Sequence, residues 1–303
     1  MLRPLLLFLS QSSLAKKFVL NFPLARRVAR RYVAGERLDE ALEVTGKLRA
    51  EGLDVALDLL GENAVRKGAA QEATQEYLRM IEKIRTSGHS CYISLKLTQL
   101  GLDEDASLAQ ANLLTILEAA KSSELFVRID MEGSEYTEAT MSIFRQARLE
   151  YSNVGIVVQA YLRRSKADIA LINRLQGQVR LCKGAYSEPP SIAYQDRREV
   201  TRNMLDLMSD LLREGHRPAI ASHDEEVIQA TLSYVKLMGI QPDQFEFQML
   251  YGIRKERQLE LRKLGYQVRI YVPFGSDWYP YFMRRLAERP ANLFFFLTAL
   301  FRG

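Results

Sequence analysis

The densest chemistry in the chain stands near its C-terminal end, in the run Tyr281-Phe282-Met283-Arg284-Arg285-Leu286-Ala287-Glu288-Arg289. Helical spacing places Tyr281, Arg284, Arg285 and Glu288 on one face, because residues three and four apart are neighbours on a helix. A guanidinium is a planar fork of donors that fits a carboxylate or phosphate bidentately. Two of them beside a phenol suit a small carboxylate gripped at one end. The plainer alternative is a solvated face with a Tyr281–Arg285 contact and an Arg284–Glu288 pair. A second set of polar groups is spread along the chain, each at the end of a short apolar run. Glu62 follows Gly61, and Lys96 sits inside Ser94-Leu95-Lys96-Leu97-Thr98. Asp130 and Glu132 flank Met131, and Gln159 precedes Ala160-Tyr161. Further on come Arg180, Lys183, Gly184, Ala185 and Tyr186, then Ser222-His223-Asp224, then Gln248 and Leu250, and last Tyr271. Singly, each has a structural explanation. Lys96 can snorkel at a strand end, Asp130 can pair with a neighbouring strand, and His223 can be a hydrogen-bonded core residue. Together they ask for a polar ligand of some size, since buried polar groups cost free energy unless paired.

The elements that must carry these residues alternate from about residue 50 onward. Aliphatic runs at 54–60, 91–98, 126–131, 154–160, 179–183, 218–222, 245–250 and 268–272 read as strands. Stretches of helical period fill the gaps, among them 72–85, 108–120, 136–151 and 197–213, with a last helix over 278–287. Parallel strands need crossover helices, and eight such units close into a (β/α)8 barrel of ~250 residues. The fold class is therefore α/β, a TIM-type barrel with an N-terminal helical arm. A doubly wound sheet is the competitor, but the G-x-G-x-x-G turn after a first strand is missing, as is a Walker A loop. A barrel predicts that the functional groups gather at the C-terminal ends of the strands. The expected organisation is an arm over 1–48, the barrel over 49–292 and an apolar tail over 293–303.

The chain has 303 residues, 47% hydrophobic and 26% charged, the composition of a packed globule. Its two cysteines exclude a disulfide scaffold, and with three histidines they leave little for a metal site. No apolar run approaches the ~20 residues of a membrane helix. The net charge of +5 is uneven. Arg3, Lys16, Lys17, Arg26, Arg27, Arg30 and Arg31 fall before residue 36 with no acidic residue among them, so the basic character belongs to the arm. The basic stripe with interleaved aromatics that a nucleic-acid reader needs is missing from the body. The arm suits either an anionic bilayer surface, a transit peptide or a helix packed on the domain.

In this arrangement the residues resemble the proline dehydrogenase family. The resemblance rests on Tyr281-x-x-Arg284-Arg285-x-x-Glu288, Asp58-x-x-Gly61-Glu62, Ser94-x-Lys96, Asp130-x-Glu132, Gln159-Ala160-Tyr161, Arg180-x-x-Lys183-Gly184-Ala185-Tyr186 and Gln248-x-Leu250. It spans about residues 50 to 292 in order. It implies an FAD-dependent barrel that oxidises L-proline to Δ1-pyrroline-5-carboxylate by hydride transfer to flavin N5, with a membrane quinone as the next acceptor. It implies that Lys96, Arg284 and Arg285 bind the proline carboxylate, that Glu62 pairs with Arg284, and that Leu250, Tyr271 and Tyr281 pack the ring. Gln159, Arg180, Lys183, Gly184, Ala185, Tyr186, His223, Asp224 and Gln248 fall to the flavin, with Arg180 near N5. Asp130 is expected to orient Lys96 and the flavin side. The chain has Ser222-His223-Asp224 where the family often has Thr-His-Asn, and Ser187 where a tryptophan is common. Tyr281 favours proline over hydroxyproline. The expected location is the cytoplasmic face of the cell membrane, with the arm or the tail in contact. Two rival classes remain open on the residues alone: a barrel enzyme for a phosphorylated or carboxylated substrate without flavin, and a non-catalytic membrane-surface scaffold.

Overall fold

The computed structural model describes residues 29–61 and 68–288, and side chains up to Leu286. The first part of the arm, Glu62, Arg289 and the tail lie outside the described residues, and so does the side chain of Glu288.

Strands β1 (Asp54–Leu59), β2 (Tyr92–Leu95), β3 (Val127–Ile129), β4 (Val154–Gln159), β5 (Gln178–Cys182), β6 (Ala219–Ala221), β7 (Glu246–Leu250) and β8 (Val268–Phe274) pair in parallel and in chain order. The sheet closes through β1 and β8, with Ala56 opposite Tyr271. Helix α1 (Leu38–Ala50) enters the barrel. Helices α2 (Ala69–Ser87), α3 (Ala106–Ser122), α4 (Ser134–Glu150), α5 (Ser165–Arg174), α6 (Arg197–Glu214), α7 (Glu225–Met238), α8 (Lys255–Lys263) and α9 (Trp278–Glu288) follow the strands in turn.

Alternate strand residues face opposite sides of a sheet. Those facing the helices are apolar and buried, for example Leu57, Ile93, Ile129, Val158, Leu181 and Ile270. Each contributes about 1.5–3 kcal/mol on burial. The other set faces the lumen and carries the polar strand residues, among them Asp58, Ser94, Arg128, Arg180, Glu246, Gln248, Arg269 and Tyr271. Arg180 on β5 reaches Ser94 on β2 and Gln248 on β7, strands that are not its neighbours, and only the lumen connects them.

Two strand ends differ from the sequence expectation. β2 stops at Leu95 instead of running on to Thr98, because side chains take the next backbone donors. Gln99 Oε1 accepts from the Lys96 amide at 3.2 Å and Glu132 Oε1 from the Thr98 amide at 3.2 Å. The chain then turns through a short 3-10 segment, Thr98–Leu100. β8 runs past Val272 to Phe274 despite Pro273. β7 has already ended on that side, and the Pro273 carbonyl accepts instead from the Ala34 amide at 2.9 Å. No donor is required where proline has none.

The end of the arm packs on the barrel. Ala29, Tyr32 and Val33 are buried, and Gly275 donates to the Gly35 carbonyl at 3.0 Å. Gly252, just after β7, has φ +73°, and a Cβ there would strike the Arg31 carbonyl oxygen. Glycine at that point lets the arm lie directly on the rim. Tyr32 and Trp278 both pack on Phe282, and the Trp278 indole N–H donates to Glu36 at 3.0 Å. The arm therefore helps to seat α9. Among the described residues no helix is long and apolar enough to cross a membrane.

Candidate active site

A connected set of charged and polar side chains occupies the C-terminal end of the barrel lumen. Lys96 is the first member. Its Nζ lies 3.1 Å from Asp58 Oδ1 and 3.5 Å from Asp130 Oδ2, and all three are buried. Burial works against the Lys96 charge, but Asp58 and Asp130 outweigh it and hold its proton well above the usual lysine range. Burial, with Asp130 nearby, pushes the Asp58 carboxyl up despite Lys96. One ammonium thus serves two carboxylates.

Asp130 is the second junction. Besides Lys96 it accepts from Arg180 Nη1 at 2.8 Å and from the Tyr271 hydroxyl at 2.7 Å. Burial first, then the Asp130 charge, raise Tyr271 well above the ordinary phenol, so it stays a donor. The Arg180 guanidinium is held on every edge. Nε donates to Gln248 Oε1, Nη1 to Asp130, and Nη2 to Ser94 Oγ at 2.9 Å. Its carbon lies 5.1 Å from the centre of the Tyr271 ring, within the range of a cation–π contact. Lys96, Asp130, Arg180, Tyr271 and Gln248, all candidates from sequence, thus form one network.

On α9, Trp278, Phe282 and Leu286 are buried against the protein. The flank beside that face carries Tyr281, 7% exposed, with Arg284 and Arg285 half-buried. The Arg285 guanidinium carbon stands 5.1 Å from the Tyr281 ring centre. This flank is more enclosed than a solvated helix surface. Leu250 is half-buried at the end of β7, beside Tyr271 in register. The expected pairing of Glu62 with Arg284 falls outside the described residues.

The candidates on the β5 and β6 side form a second group. Lys183 donates to Asp224 at 2.5 Å and to Thr201 Oγ1 at 2.7 Å. Asp224 also caps α7, accepting from the Glu226 amide at 3.1 Å. Burial raises the Asp224 carboxyl, but Lys183 overrides it and holds it below the usual range. His223 Nε2 accepts from the Leu250 amide at 2.8 Å, which ties β6 to β7 and leaves that imidazole's proton on Nδ1. Gly184 has φ +112°, and a Cβ there would lie 2.2 Å from the Tyr161 ring. Only glycine lets the loop after β5 fold onto that ring. Ala185 and Tyr186 follow, exposed. Gln159, at the end of β4, donates to the Met131 carbonyl at 3.0 Å, while its buried Oε1 has no partner among the described residues.

A large polar cofactor fits this rim. The Gln159 side-chain carbonyl is a buried acceptor with no donor among the described residues, and such groups rarely stay unpaired. Arg180 is a buried, fixed cation at the centre of the lumen. The loop after β5 carries no bulky side chain at Gly184 and Ala185, and Gly184 lies against the Tyr161 ring.

Some participants were not among the candidates. Asp58 anchors Lys96, Ser94 holds Arg180, and Gln99 binds both the Tyr77 hydroxyl at 2.7 Å and the carbonyls of Leu59 and Gly61. An acidic residue inside an apolar strand, as Asp58 is, was the available signal. Deeper in the lumen lie Arg128, Glu246 and Arg269, also unforeseen. Burial and the nearby Arg180 bring the Arg128 guanidinium down to about 9.

Comparison with known proteins bears on the chain as a whole. A family model described as proline dehydrogenase matches residues 41–296. Proline dehydrogenase 1 of Bacillus subtilis strain 168 is 42% identical over 302 residues, covering 100% of both chains. The proline dehydrogenase of Deinococcus radiodurans is 37% identical over 281 residues, covering 91% of each. The solved structure of proline utilization A from Bdellovibrio bacteriovorus superimposes with a TM-score of 0.81 at 26% identity, covering 86% of this chain and 32% of that one.

Proposed function

The chain belongs to the proline dehydrogenase family, and from that premise we propose that it oxidises L-proline to Δ1-pyrroline-5-carboxylate with FAD as cofactor and a membrane quinone as the next acceptor. The observation that carries this reading is the buried Lys96–Asp130–Arg180–Tyr271 network at the C-terminal end of the lumen. When bound, FAD supplies a two-electron acceptor, taking a hydride at N5 from the proline carbon next to nitrogen.

The protein's own residues supply binding, orientation and charge. Arg284, Arg285 and Lys96 bind the proline carboxylate. Lys96 suits this because Asp58 and Asp130 keep it protonated throughout the physiological range. Tyr281, Tyr271 and Leu250 pack the ring and exclude water. Holding the substrate in a near-attack geometry converts a loose encounter into an effectively unimolecular step. Gln159, Lys183, Gly184, Ala185, Tyr186, His223, Asp224 and Gln248 hold the flavin. Arg180 presents a preorganised cation to the flavin ring, where negative charge develops on reduction. Asp130 and Ser94 keep that cation in place without reorganisation during the reaction.

The proline amine must be neutral for its lone pair to assist. Activity is therefore expected to rise with pH as free proline amine becomes available. A quinone acceptor requires contact with the bilayer, on the cytoplasmic face, through the basic arm or the apolar tail. Dye reduction by the purified yellow protein tests the reaction: L-proline should drive it and 4-hydroxyproline should do so poorly. Equal turnover of both, or turnover of neither, contradicts the reading. Flotation with anionic liposomes, compared with a tail deletion, tests the membrane contact; no flotation of the full chain removes it.

A further inference from the structure

Arg180 owes one of its three acceptors to a residue that does not touch it. Gln248 gives its Oε1 to Arg180 Nε and its Nε2 to Glu246 Oε1. A side-chain amide has nearly the same shape in both orientations, so packing alone does not decide which end faces Arg180. The Arg180 N–H calls for the carbonyl end, and a carboxylate on the other side anchors the NH2 end. Glu246 when ionised accepts only, so Gln248 must turn its NH2 that way and its carbonyl toward Arg180. Residues 246 and 248 lie two apart on β7 and share the lumen face.

Glu246 is in turn locked from behind. Arg269 on β8 approaches it with Nε at 3.0 and 3.1 Å from its two oxygens, and with Nη2 at 3.0 Å from Oε2. Arg269 also donates to the Val55 carbonyl at 3.1 Å and stacks 3.5 Å from the Tyr92 ring centre. Burial opposes the Glu246 charge, but Arg269 overcomes it and holds the carboxyl below its usual range. The chain Arg269–Glu246–Gln248–Arg180 therefore has a fixed hydrogen-bond polarity.

We propose that Glu246 is a positioning residue for the reaction: through the Gln248 amide it fixes the guanidinium of Arg180 toward the flavin. The inference rests on the reading of Arg180 given above and extends it two residues down the strand. In Glu246→Gln the stronger, charge-assisted contacts to Arg269 claim the new amide's oxygen, with two Arg269 donors converging on the Oε2 side. Its NH2 then meets the Gln248 NH2, donor against donor, and the repulsion pushes the Gln248 amide out of the geometry that serves Arg180. Arg180 loses an acceptor and its fixed aim.

The test is a double-mutant cycle of Glu246→Gln and Gln248→Leu on the holoenzyme. Two quantities are read: single-turnover flavin reduction by proline, and the affinity for sulfite. Sulfite donates its sulfur lone pair to N5, and the resulting negative ring is stabilised by a cation nearby. Each single variant should slow reduction about tenfold and weaken sulfite about tenfold, with proline KM near wild type. That is the loss of one charge-assisted bond of about 1.4 kcal/mol. The double variant should also show about tenfold, since Glu246 acts only through Gln248. Effects that multiply toward a hundredfold, or a Glu246→Gln enzyme within twofold of wild type in both readouts, overturn the proposal. A variant merely destabilised would lower the melting temperature and leave sulfite affinity alone, which also overturns it. Should Glu246→Gln fail to fold, Glu246→Met combined with Arg269→Met removes the carboxylate together with the cation it pairs with and carries the same test. If wild type shows neither flavin absorbance nor reduction by proline, the failure belongs to the functional reading and not to Glu246.

Discussion

Replacing Lys96 by methionine removes the ammonium that serves Asp58 and Asp130 and keeps most of the side-chain volume. Asp130 retains Arg180 and Tyr271. Asp58, 1% exposed, loses the cation 3.1 Å away. Breaking one side of a buried ion pair typically costs about 3–5 kcal/mol. Asp58 can limit that cost by taking up a proton, since burial already places its carboxyl above the ordinary range. The sign follows from linkage. A carboxyl whose folded pKa exceeds its unfolded value of about 3.9 binds a proton more tightly in the native state. The stability this gives is fully present below about pH 3.9, and it is lost at up to about 1.4 kcal/mol per pH unit as pH rises through the folded pKa. Lys96→Met should therefore lose least near pH 5 and most near pH 8, where a deficit of about 3 kcal/mol is expected. Adding Asp58→Asn removes the titrating group. The double variant should recover about 2 kcal/mol at pH 8 and show a flatter pH profile. Urea denaturation of wild type, single and double variants at pH 5 and pH 8, at matched flavin content, reads all of this. Proline KM should stay high in both variants, because the carboxylate anchor is gone in both. A Lys96→Met protein as stable as wild type at pH 8, or a double variant with an unchanged pH slope, refutes the buried-pair argument.

The remaining expectations concern other parts of the rim. Arg284→Ala and Arg285→Ala should each raise proline KM by about ten- to a hundredfold, the cost of a charge-assisted bond of roughly 1.5–3 kcal/mol, while the flavin stays bound; a wild-type KM in steady-state kinetics would remove that arginine from the carboxylate site. Gly184→Ala, at φ +112° and against the Tyr161 ring, should cost about 2 kcal/mol by thermal or urea unfolding and loosen flavin retention. Glu246 has a carboxyl held below 4.5 by Arg269, so its contribution is present above that pH and is lost as pH falls through the lower folded value. The stability gap between wild type and Glu246→Gln should therefore narrow in urea melts taken below pH 4.5; a gap that widens there contradicts the assignment.

Much of the fold and of its rim is legible in the amino-acid sequence. The barrel shows itself because its strands alternate with helices at near-constant spacing. Apolar runs of that length, buried by crossover helices, leave few arrangements. The rim residues stand out because Lys96, Asp130 and Arg180 interrupt runs that packing alone would fill with aliphatic side chains. What stays hidden has two physical sources. Backbone donors at Lys96 and Thr98 are captured by the side chains of Gln99 and Glu132, which ends β2 early, and no local pattern announces such a capture. The lower lumen is the other source. Arg128, Glu246 and Arg269 lie on three different strands and gain meaning only when closure brings them together. Asp224 reads in sequence as a departure at the flavin edge, yet its two bonds to Lys183 and to the start of α7 give it structural work that spacing does not reveal.

The central claim is that the polar mouth of this barrel holds a flavin against proline. The visible spectrum of the purified full-length chain, recorded anaerobically before and after L-proline, tests it most directly. The account predicts a flavin band that bleaches on adding L-proline, and does so more slowly in Arg284→Ala or Arg285→Ala at the same sub-saturating proline concentration. A flavin-loaded protein whose band L-proline leaves untouched, or a folded protein that takes up no FAD, contradicts it.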